Sequence, residues 1–282
     1  MVALKNRVFE ERASACTCAQ DASLCSIEPW DMQSSGIDAG QASARRVLDA
    51  IERGVRSKRI PFLCSDSLSA LRNLGLVRGG MLTNAAVLIF CPSAAPLIVC
   101  RVYDSPCCDV LLESLDCYGP LEDAFDAAFA FLRRFAPTAF PAFGFDGSKA
   151  PFALPVVFED CLSNALVHRD YRVFSPVQVV VCPGAIEISS PGIFPENTFV
   201  AGLHDRPIDP SYYAECALEA QTVTRNALLL QALYRFGFIE AQGTGMMRVV
   251  YASALCGLEV AWSNRGACAH AAITERLRSH CS

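Results

Sequence analysis

The sequence lacks several motifs that would assign a function class directly. No GxxxxGK[ST] loop is present, which excludes an ordinary P-loop ATPase and a motor helicase. The GxSxG turn of serine hydrolases is also missing. No CxxC pair occurs, so the zinc sites that are built from such pairs are not expected. The function must therefore be sought in less common patterns.

The sequence also lacks a long uninterrupted apolar run and a basic charge balance. Its longest apolar region, residues 85–103, is broken by Pro92 and Pro96 and is predicted to form two buried strands around a turn. The first residues contain no apolar segment typical of a signal peptide. We therefore expect a cytoplasmic protein without a membrane span. The net charge of -5 argues against a broad nucleic-acid-binding surface.

Hydrophobic residues, by contrast, are plentiful. They make up 52% of the 282 residues, and 19% are charged, so the chain can bury a sizeable core. The fifteen cysteines are scattered and are predicted to be reduced thiols in apolar positions. Metal binding by Cys16, Cys18 and Cys25 is an alternative that rests on their spacing alone.

The first half of the chain is predicted to form an irregular arm and a mixed α/β domain. Residues 136–155 hold four prolines and two glycines, which favours a domain boundary near residue 150. The predicted units are residues 1–40, 41–150 and 151–282. Helical spacing or strand-like runs predict, in order, helices at 41–59 and 66–73, strands at 85–90 and 97–103, and a helix at 121–135.

The second half is predicted to be a mixed α/β sandwich with helices on one face. Its elements are a helix at 160–171, a hairpin of VQVVV and AIEIS around Cys182-Pro183-Gly184, an irregular segment at 194–221, helices at 226–236 and 246–254, and a strand at 258–262. The predicted fold class is α+β.

The helix predicted at 160–171 carries a row of polar side chains. Asp160, Asn164 and His168 follow one another at intervals of four residues, so a helix places them on one stripe. The amide oxygen of Asn164 suits Mg²⁺, and Asp160 could orient or deprotonate a water molecule. Ser190, at the end of a hairpin strand, is a candidate for reading a base. The alternative is an amphipathic helix with a solvated polar face.

A short glycine turn precedes the last predicted helix. Gly243 and Gly245 flank Thr244, and a helix N-terminus at this point would offer free backbone N–H groups to a phosphate. The alternative is that the turn only marks the start of a helix and binds no ligand.

Four motifs in order resemble a known family. They are NALVHRDY at 164–171, EIxxPG at 187–192, TRN at 224–226 and GFIEAQGTGMMR at 237–248. Together they are similar to the C-terminal region of bacterial regulators with a Schlafen/Alba-type N-terminal domain, often labelled RecG-related ATP-dependent helicases or transcriptional regulators. With LTNAAVLIF at 82–90, the resemblance extends from about residue 40 to 262. We expect this chain to lack the Alba-like domain.

The resemblance implies a GHKL (Bergerat-like) α/β sandwich that binds ATP and Mg²⁺. It implies that Asp160 and Asn164 correspond to the N-box. Asp160 stands where the related ATPases use Glu, and Ser190 stands where they use Asp. Nucleotide binding is therefore expected and hydrolysis is doubtful. The remaining residues that the resemblance implies are Gly192 on the adenine side, Gly243, Thr244 and Gly245 on the phosphate side, and the family motif residues His168, Arg169, Asp170, Arg225 and Asn226.

Three functions remain open from the sequence. The first is an ATP-binding regulator in which the nucleotide acts as a conformational ligand, with weak Mg²⁺-dependent hydrolysis at most. The second is a regulatory or assembly module without ligand, in which Arg169 and Asp170 form a buried pair. The third is a DNA-binding transcription regulator that uses the arginines of the helix predicted at 41–59. A homo-oligomer is compatible with all three.

Overall fold

The computed structural model describes residues 28–62, 64–141, 150–194, 224–240 and 245–276. Within them the chain forms helices and strands that are numbered here in chain order. The helices are α1 Ala44–Arg56, α2 Ser67–Asn73, α3 Asn84–Phe90, α4 Leu121–Ala139, α5 Ala150–Val167, α6 Ala227–Arg235 and α7 Gly245–Leu255. The strands are β1 Ser34–Asp38, β2 Val77–Arg78, β3 Met81–Thr83, β4 Ile98–Tyr103, β5 Leu111–Cys117, β6 Val177–Cys182, β7 Ala185–Pro191, β8 Leu258–Arg265 and β9 Cys268–Glu275.

A six-stranded mixed sheet forms the centre of the fold. Its order is β5-β4-β6-β7-β9-β8, and β4 and β6 pair in parallel while the other neighbours are antiparallel. Helices α4, α5 and α7 contact this sheet. Val177, Val179 and Val181 of β6 are fully buried and belong to the core, whereas Gln178, on the other face of the strand, is half-buried. The arrangement confirms the predicted α+β class.

The described residues before residue 91 add a small sheet and three α-helices. Strands β1, β3 and β2 pair in that order. Helix α2 begins as predicted at Asp66, whose carboxylate accepts from the backbone N–H groups of Leu68 and Ser69. It ends before Gly75, which has a positive φ of 73°.

Several predicted elements are confirmed in place. Helices α1 and α6 lie within the predicted ranges, and the hairpin β6–β7 turns at Gly184, where φ is +81°. Helix α4 continues four residues beyond the prediction, through Pro137. The predicted boundary near residue 150 stays a prediction, because residues 142–149 lie outside the described part.

Two sequence predictions were wrong. The run AAVLIF forms helix α3 instead of a strand, since Thr83 caps its first turn by accepting from the N–H of Ala86. A short apolar run has no periodicity that could separate the two structures. Helix α5 ends at Val167, so His168 lies just past it, and only Asp160 and Asn164 share its polar stripe. Strands β5 and β9 were not predicted.

A buried carboxylate from the N-terminal part caps helix α6. Asp31 is fully buried, and its Oδ2 accepts from the N–H groups of Leu228 at 2.7 Å and Leu229 at 3.0 Å. These are two of the N–H groups that a helix start leaves without intrahelical partners. The contact joins the turn at 30–32 to α6 across almost two hundred residues of sequence.

We expect Asp31→Ala to destabilise the protein by about 2 to 4 kcal/mol, because it leaves two buried N–H groups unsatisfied. The control is Asp66→Ala, which removes an exposed cap of the same type from α2, where water can replace the carboxylate. Urea unfolding followed by circular dichroism measures both. An equal loss of stability in the two variants would contradict the role assigned to Asp31.

Candidate functional site

The polar stripe of α5 faces the start of α7. Asp160 forms an ion pair with Arg248, with 3.2 Å between Oδ2 and Nε. One turn along each helix, the amide of Asn164 lies beside Gly245, where an added Cβ would be 3.8 Å from Nδ2. Asn164 comes after Asp160 in α5, whereas its neighbour Gly245 comes before Arg248 in α7. The two helices therefore run antiparallel. Asn164 therefore stands at the N-terminal end of α7.

Asp160 has an unusual electrostatic environment. The pKa of its carboxyl is raised to about 6, chiefly by burial; Arg248 opposes the rise, and the nearby charges of Glu159 and Glu240 contribute to it. Its Oδ2 is buried and makes no hydrogen bond, since the contact with Arg248 is an ion pair without hydrogen-bond geometry. A carboxyl with this pKa can take or release a proton near neutral pH.

Side chains from other elements bind the backbone carbonyls at the end of α5. Ser190 on β7 donates to the carbonyl of Ala165 at 2.6 Å. The hydroxyl of Tyr171 donates to Leu166 at 2.9 Å. The last carbonyls of a helix have no intrahelical partners, so these donors fix where α5 ends.

Arg225 and Asn226, which lie just before α6, donate to further carbonyls at the end of α5. The bonded carbonyls of residues 165–169 are called here the carbonyl cluster. The amide of Asn226, which is buried, donates to the carbonyls of Val167 at 2.7 Å and Arg169 at 2.8 Å. The guanidinium of Arg225 donates to the carbonyl of His168 at 2.7 Å. The predicted family motif residues Arg225 and Asn226 therefore hold the chain that follows α5.

The prediction that Ser190 reads a base stays a prediction, and its hydroxyl has a structural contact. It is 4% exposed, and its hydroxyl proton is already donated to α5. Its oxygen retains a free lone pair, so the hydroxyl can still accept from an amino group. Its observed contact is structural.

Gly192 is required by the close approach of Arg225. Its φ is +97°, and an added Cβ would lie 2.2 Å from Nη1 of Arg225 and 3.1 Å from Cβ of Asp170. The guanidinium that occupies this space also donates to the carbonyl of Ile193 at 3.1 Å. A side chain at Gly192 would displace a donor to the carbonyl cluster.

Arg169 and Asp170 do not form the pair that the sequence suggested. Asp170 binds Arg172 instead, with its two carboxylate oxygens 2.9 and 2.7 Å from Nε and Nη2, because adjacent side chains in a turn point in different directions. Buried Arg169 donates to the carbonyl of Ser175 at 2.9 Å and lies over the ring of Tyr171. These residues organise the turn between α5 and β6.

His168 is a neutral residue at neutral pH. Burial, with the nearby charge of Arg225, lowers the pKa of its imidazole to about 4. An imidazole that stays neutral in this position avoids placing a second positive charge beside Arg225. The structural role expected for His168 stays a prediction.

The structure brings together Asp160, Asn164 and Gly245, and it adds Arg248. Arg248 was not predicted as a site residue, although its three-residue spacing from Gly245 places both on one side of a helix. Gly243 and Thr244 lie outside the described residues, as does most of the irregular segment predicted at 194–221. The predicted roles of all these residues in nucleotide binding stay predictions.

Comparison with protein families gives a match to the C-terminal part of the chain. Residues 175–261 match the family model described as "Putative ATP-dependent DNA helicase recG C-terminal". This part of the chain is similar to that RecG-related family. The match confirms the resemblance of the C-terminal region and begins after α5, so the positions of Asp160 and Asn164 rest on geometry instead. No curated protein matches the chain.

A solved structure shares the fold. The DIP2311 protein from Corynebacterium diphtheriae is 17% identical, with a TM-score of 0.63 over 88% of this chain. This chain covers 40% of that protein's length, so the likeness concerns the fold of the shared part.

The described residues were also compared with the requirements of a metal site and of a membrane span. No group of three or more His, Cys, Asp or Glu side chains gathers there to hold a metal ion. Within the same residues, every helix is too short or too polar to span a membrane.

We expect Gly192→Ala to destabilise the protein by about 3 kcal/mol or more, because it adds a steric clash to backbone strain. The control is Gly184→Ala. Gly184 also has a positive φ but has open space where the Cβ would lie, so only the strain of about 1 to 2 kcal/mol remains. Thermal and urea unfolding measure the difference. Equal losses would show that Arg225 moves aside freely.

We expect the free energy of unfolding of the Asp160→Asn variant, relative to that of the unmodified protein, to increase as the pH rises from 4 to 7. The raised pKa means that the folded protein holds its Asp160 proton longer than the unfolded chain, so stability falls between the unfolded pKa of 3.8 and about 6. Asparagine removes this loss, which amounts to about 1 to 2 kcal/mol after solvent screening. Urea unfolding at several pH values tests it; a pH-independent difference would contradict the buried carboxyl.

Proposed function

We propose that the chain is an ATP-binding regulatory protein in which the nucleotide acts as a conformational ligand and hydrolysis is slow or absent. The observation that carries this proposal is the position of the Asn164 amide at the N-terminal end of α7. The RecG-related match over residues 175–261 supports it, because the family description names an ATP-dependent protein. The Schlafen-type regulatory role rests on the sequence motifs alone.

The start of α7 has the chemistry of a phosphate site. Its free N–H groups and the positive end of its helix dipole favour an anion. Beside it, the Asn164 amide supplies an oxygen ligand of the type that Mg²⁺ prefers. Since no acidic cluster gathers within the described ranges, phosphate oxygens and water would complete the coordination of such an ion.

The ion pair between Asp160 and Arg248 supports the proposal that hydrolysis is slow. A carboxylate can act as a general base only when its proton-accepting oxygen reaches the attacking water. Here Oδ2 of Asp160 faces Arg248 at 3.2 Å, and Asp is one methylene shorter than the Glu expected in related ATPases. Arg248 would have to move away before Oδ2 of Asp160 could take a proton from water.

Ion pairs made by the arginines in and just after α1 weaken the DNA-binding alternative. Arg46 pairs with Asp123 at 2.6 Å, and Arg53 pairs with Glu122, both at the start of α4. Arg59, just past α1, pairs with Glu240. These acids compete with phosphate for the same guanidinium groups, so the helix offers a phosphate backbone less positive charge than its sequence suggests.

We expect titration calorimetry of the full chain with ATP and Mg²⁺ to show saturable binding, and Asn164→Ala to weaken it by about tenfold or more. The effect should shrink when Mg²⁺ is removed, because the variant loses a metal ligand. The control is Asn73→Ala, an exposed asparagine at the end of α2. It should bind as the unmodified protein does.

The absence of binding in a folded sample would contradict the proposal. It would favour the alternative function, a regulatory or assembly module that has kept the fold and lost its ligand. Equal affinities for Asn164→Ala and Asn73→Ala would contradict the role of Asn164 while retaining nucleotide binding.

A further inference from the structure

The outer edge of β5 carries an unusual concentration of exposed apolar side chains. The described residues include nine exposed large hydrophobic residues, and five of them lie between residues 110 and 118. Leu112 is 57% exposed and Leu115 is 36% exposed. Only Cys117 of the seven residues of β5 is buried. Apolar exposure on this scale at one sheet edge is typical of a contact surface. The five residues are Val110, Leu111, Leu112, Leu115 and Tyr118.

The two edges of the central sheet differ sharply. On the opposite edge strand, β8, the apolar residues Leu258, Val260 and Trp262 are buried, and helix α7 packs against the strand. Strand β5 instead pairs only with β4 in the described sheet, and its free edge carries a row of backbone N–H and C=O groups. Both are edge strands of the described sheet, but the apolar side chains of β8 are buried and those of β5 are exposed.

The usual devices that protect an edge strand are sparse in β5. The strand contains no lysine, arginine or proline, and its bulge lies at its beginning, where Tyr103 pairs with Leu111. From Glu113 to Cys117 the pairing with β4 is regular. This regular stretch can accept a further strand along its outer side.

We propose that this edge pairs with β5 of a second copy of the chain, antiparallel, about a two-fold axis through Leu115. In that register Leu115 faces its own copy, and the regular stretch is flanked by Leu112, at the bulge, and by Tyr118, just past β5. Ser114 faces Asp116, and Glu113 faces Cys117. Apolar residues therefore meet across the axis, and no carboxylate lies directly opposite another.

The composition of β5 favours this occupant over an unrelated strand. The register centred on Ser114 would place Leu112 opposite Asp116 and Glu113 opposite Leu115, which mismatches polarity at both ends. The register through Leu115 leaves one such pairing, Glu113 with Cys117, so the strand is more complementary to itself in this register. An isologous pair requires such self-complementarity, whereas a foreign partner does not.

The dimer is expected to be weak and dependent on salt. A single pair of strands covers less surface than the 1,200 to 2,000 Å² or so of a standard stable interface. Glu113 and Asp116 of both copies gather at the axis, so their repulsion opposes association and is screened by added salt. Association should therefore strengthen as salt and protein concentration rise.

Sedimentation equilibrium of the full chain over a range of concentrations tests the proposal. The unmodified protein should show a reversible monomer–dimer equilibrium. Leu115→Lys should raise the dimer dissociation constant by about tenfold or more, because it opposes two ammonium groups on the axis. Leu112→Lys, at a more exposed position, is the second variant and should also weaken the dimer. Leu255→Lys is the control, since Leu255 is an exposed leucine on α7.

Ser114→Lys tests the register. With the axis at Leu115, it places a lysine opposite Asp116 twice and should strengthen the dimer several-fold. With the axis at Ser114, it would oppose two lysines and weaken it. Circular dichroism melts of each variant confirm that the fold is kept.

A monomer at every concentration would overturn the proposal and leave the edge to a foreign strand. A dimer that is equally sensitive to Leu255→Lys, or insensitive to both Leu115→Lys and Leu112→Lys, would place the interface elsewhere. Weakening by Ser114→Lys would overturn the axis at Leu115.

Discussion

The backbone carbonyls at the end of α5 impose the constraint on which the site depends. A helix that ends inside a protein must satisfy its last carbonyl groups, and here water is largely excluded. Ser190, Arg225 and Asn226 supply donors from β7 and from the start of α6. Because these contacts fix the end and direction of α5, they also fix Asp160 and Asn164 against α7.

The same constraint gives the sequence motifs their physical meaning. In the motif at 187–192, Ser190 binds α5 and Gly192 makes room for Arg225. In the motif at 224–226, Arg225 and Asn226 bind the carbonyls themselves. Asp31 then caps α6 from the N-terminal part, so both parts of the chain support one cluster. Three distant segments thus act as one structural unit beside the candidate ligand site.

Sequence reasoning recovered what depends on local pattern. The hairpin β6–β7 and the Asp66 cap follow from turn and capping chemistry. The strand predicted at 85–90 is a helix, because short apolar runs carry no periodicity. At the site, the i to i+4 spacing found Asp160 and Asn164. It could not show that Arg248 pairs with Asp160, or that Ser190 faces α5, since both contacts depend on packing between distant segments.

The most direct test is a crystal structure of the full chain grown with ATP and Mg²⁺. The account predicts phosphate groups at the N-terminal end of α7, with the side-chain oxygen of Asn164 on the metal ion and the donors from Ser190, Arg225 and Asn226 unchanged. Nucleotide bound away from α7, or a site filled by packed side chains with no nucleotide, would contradict it.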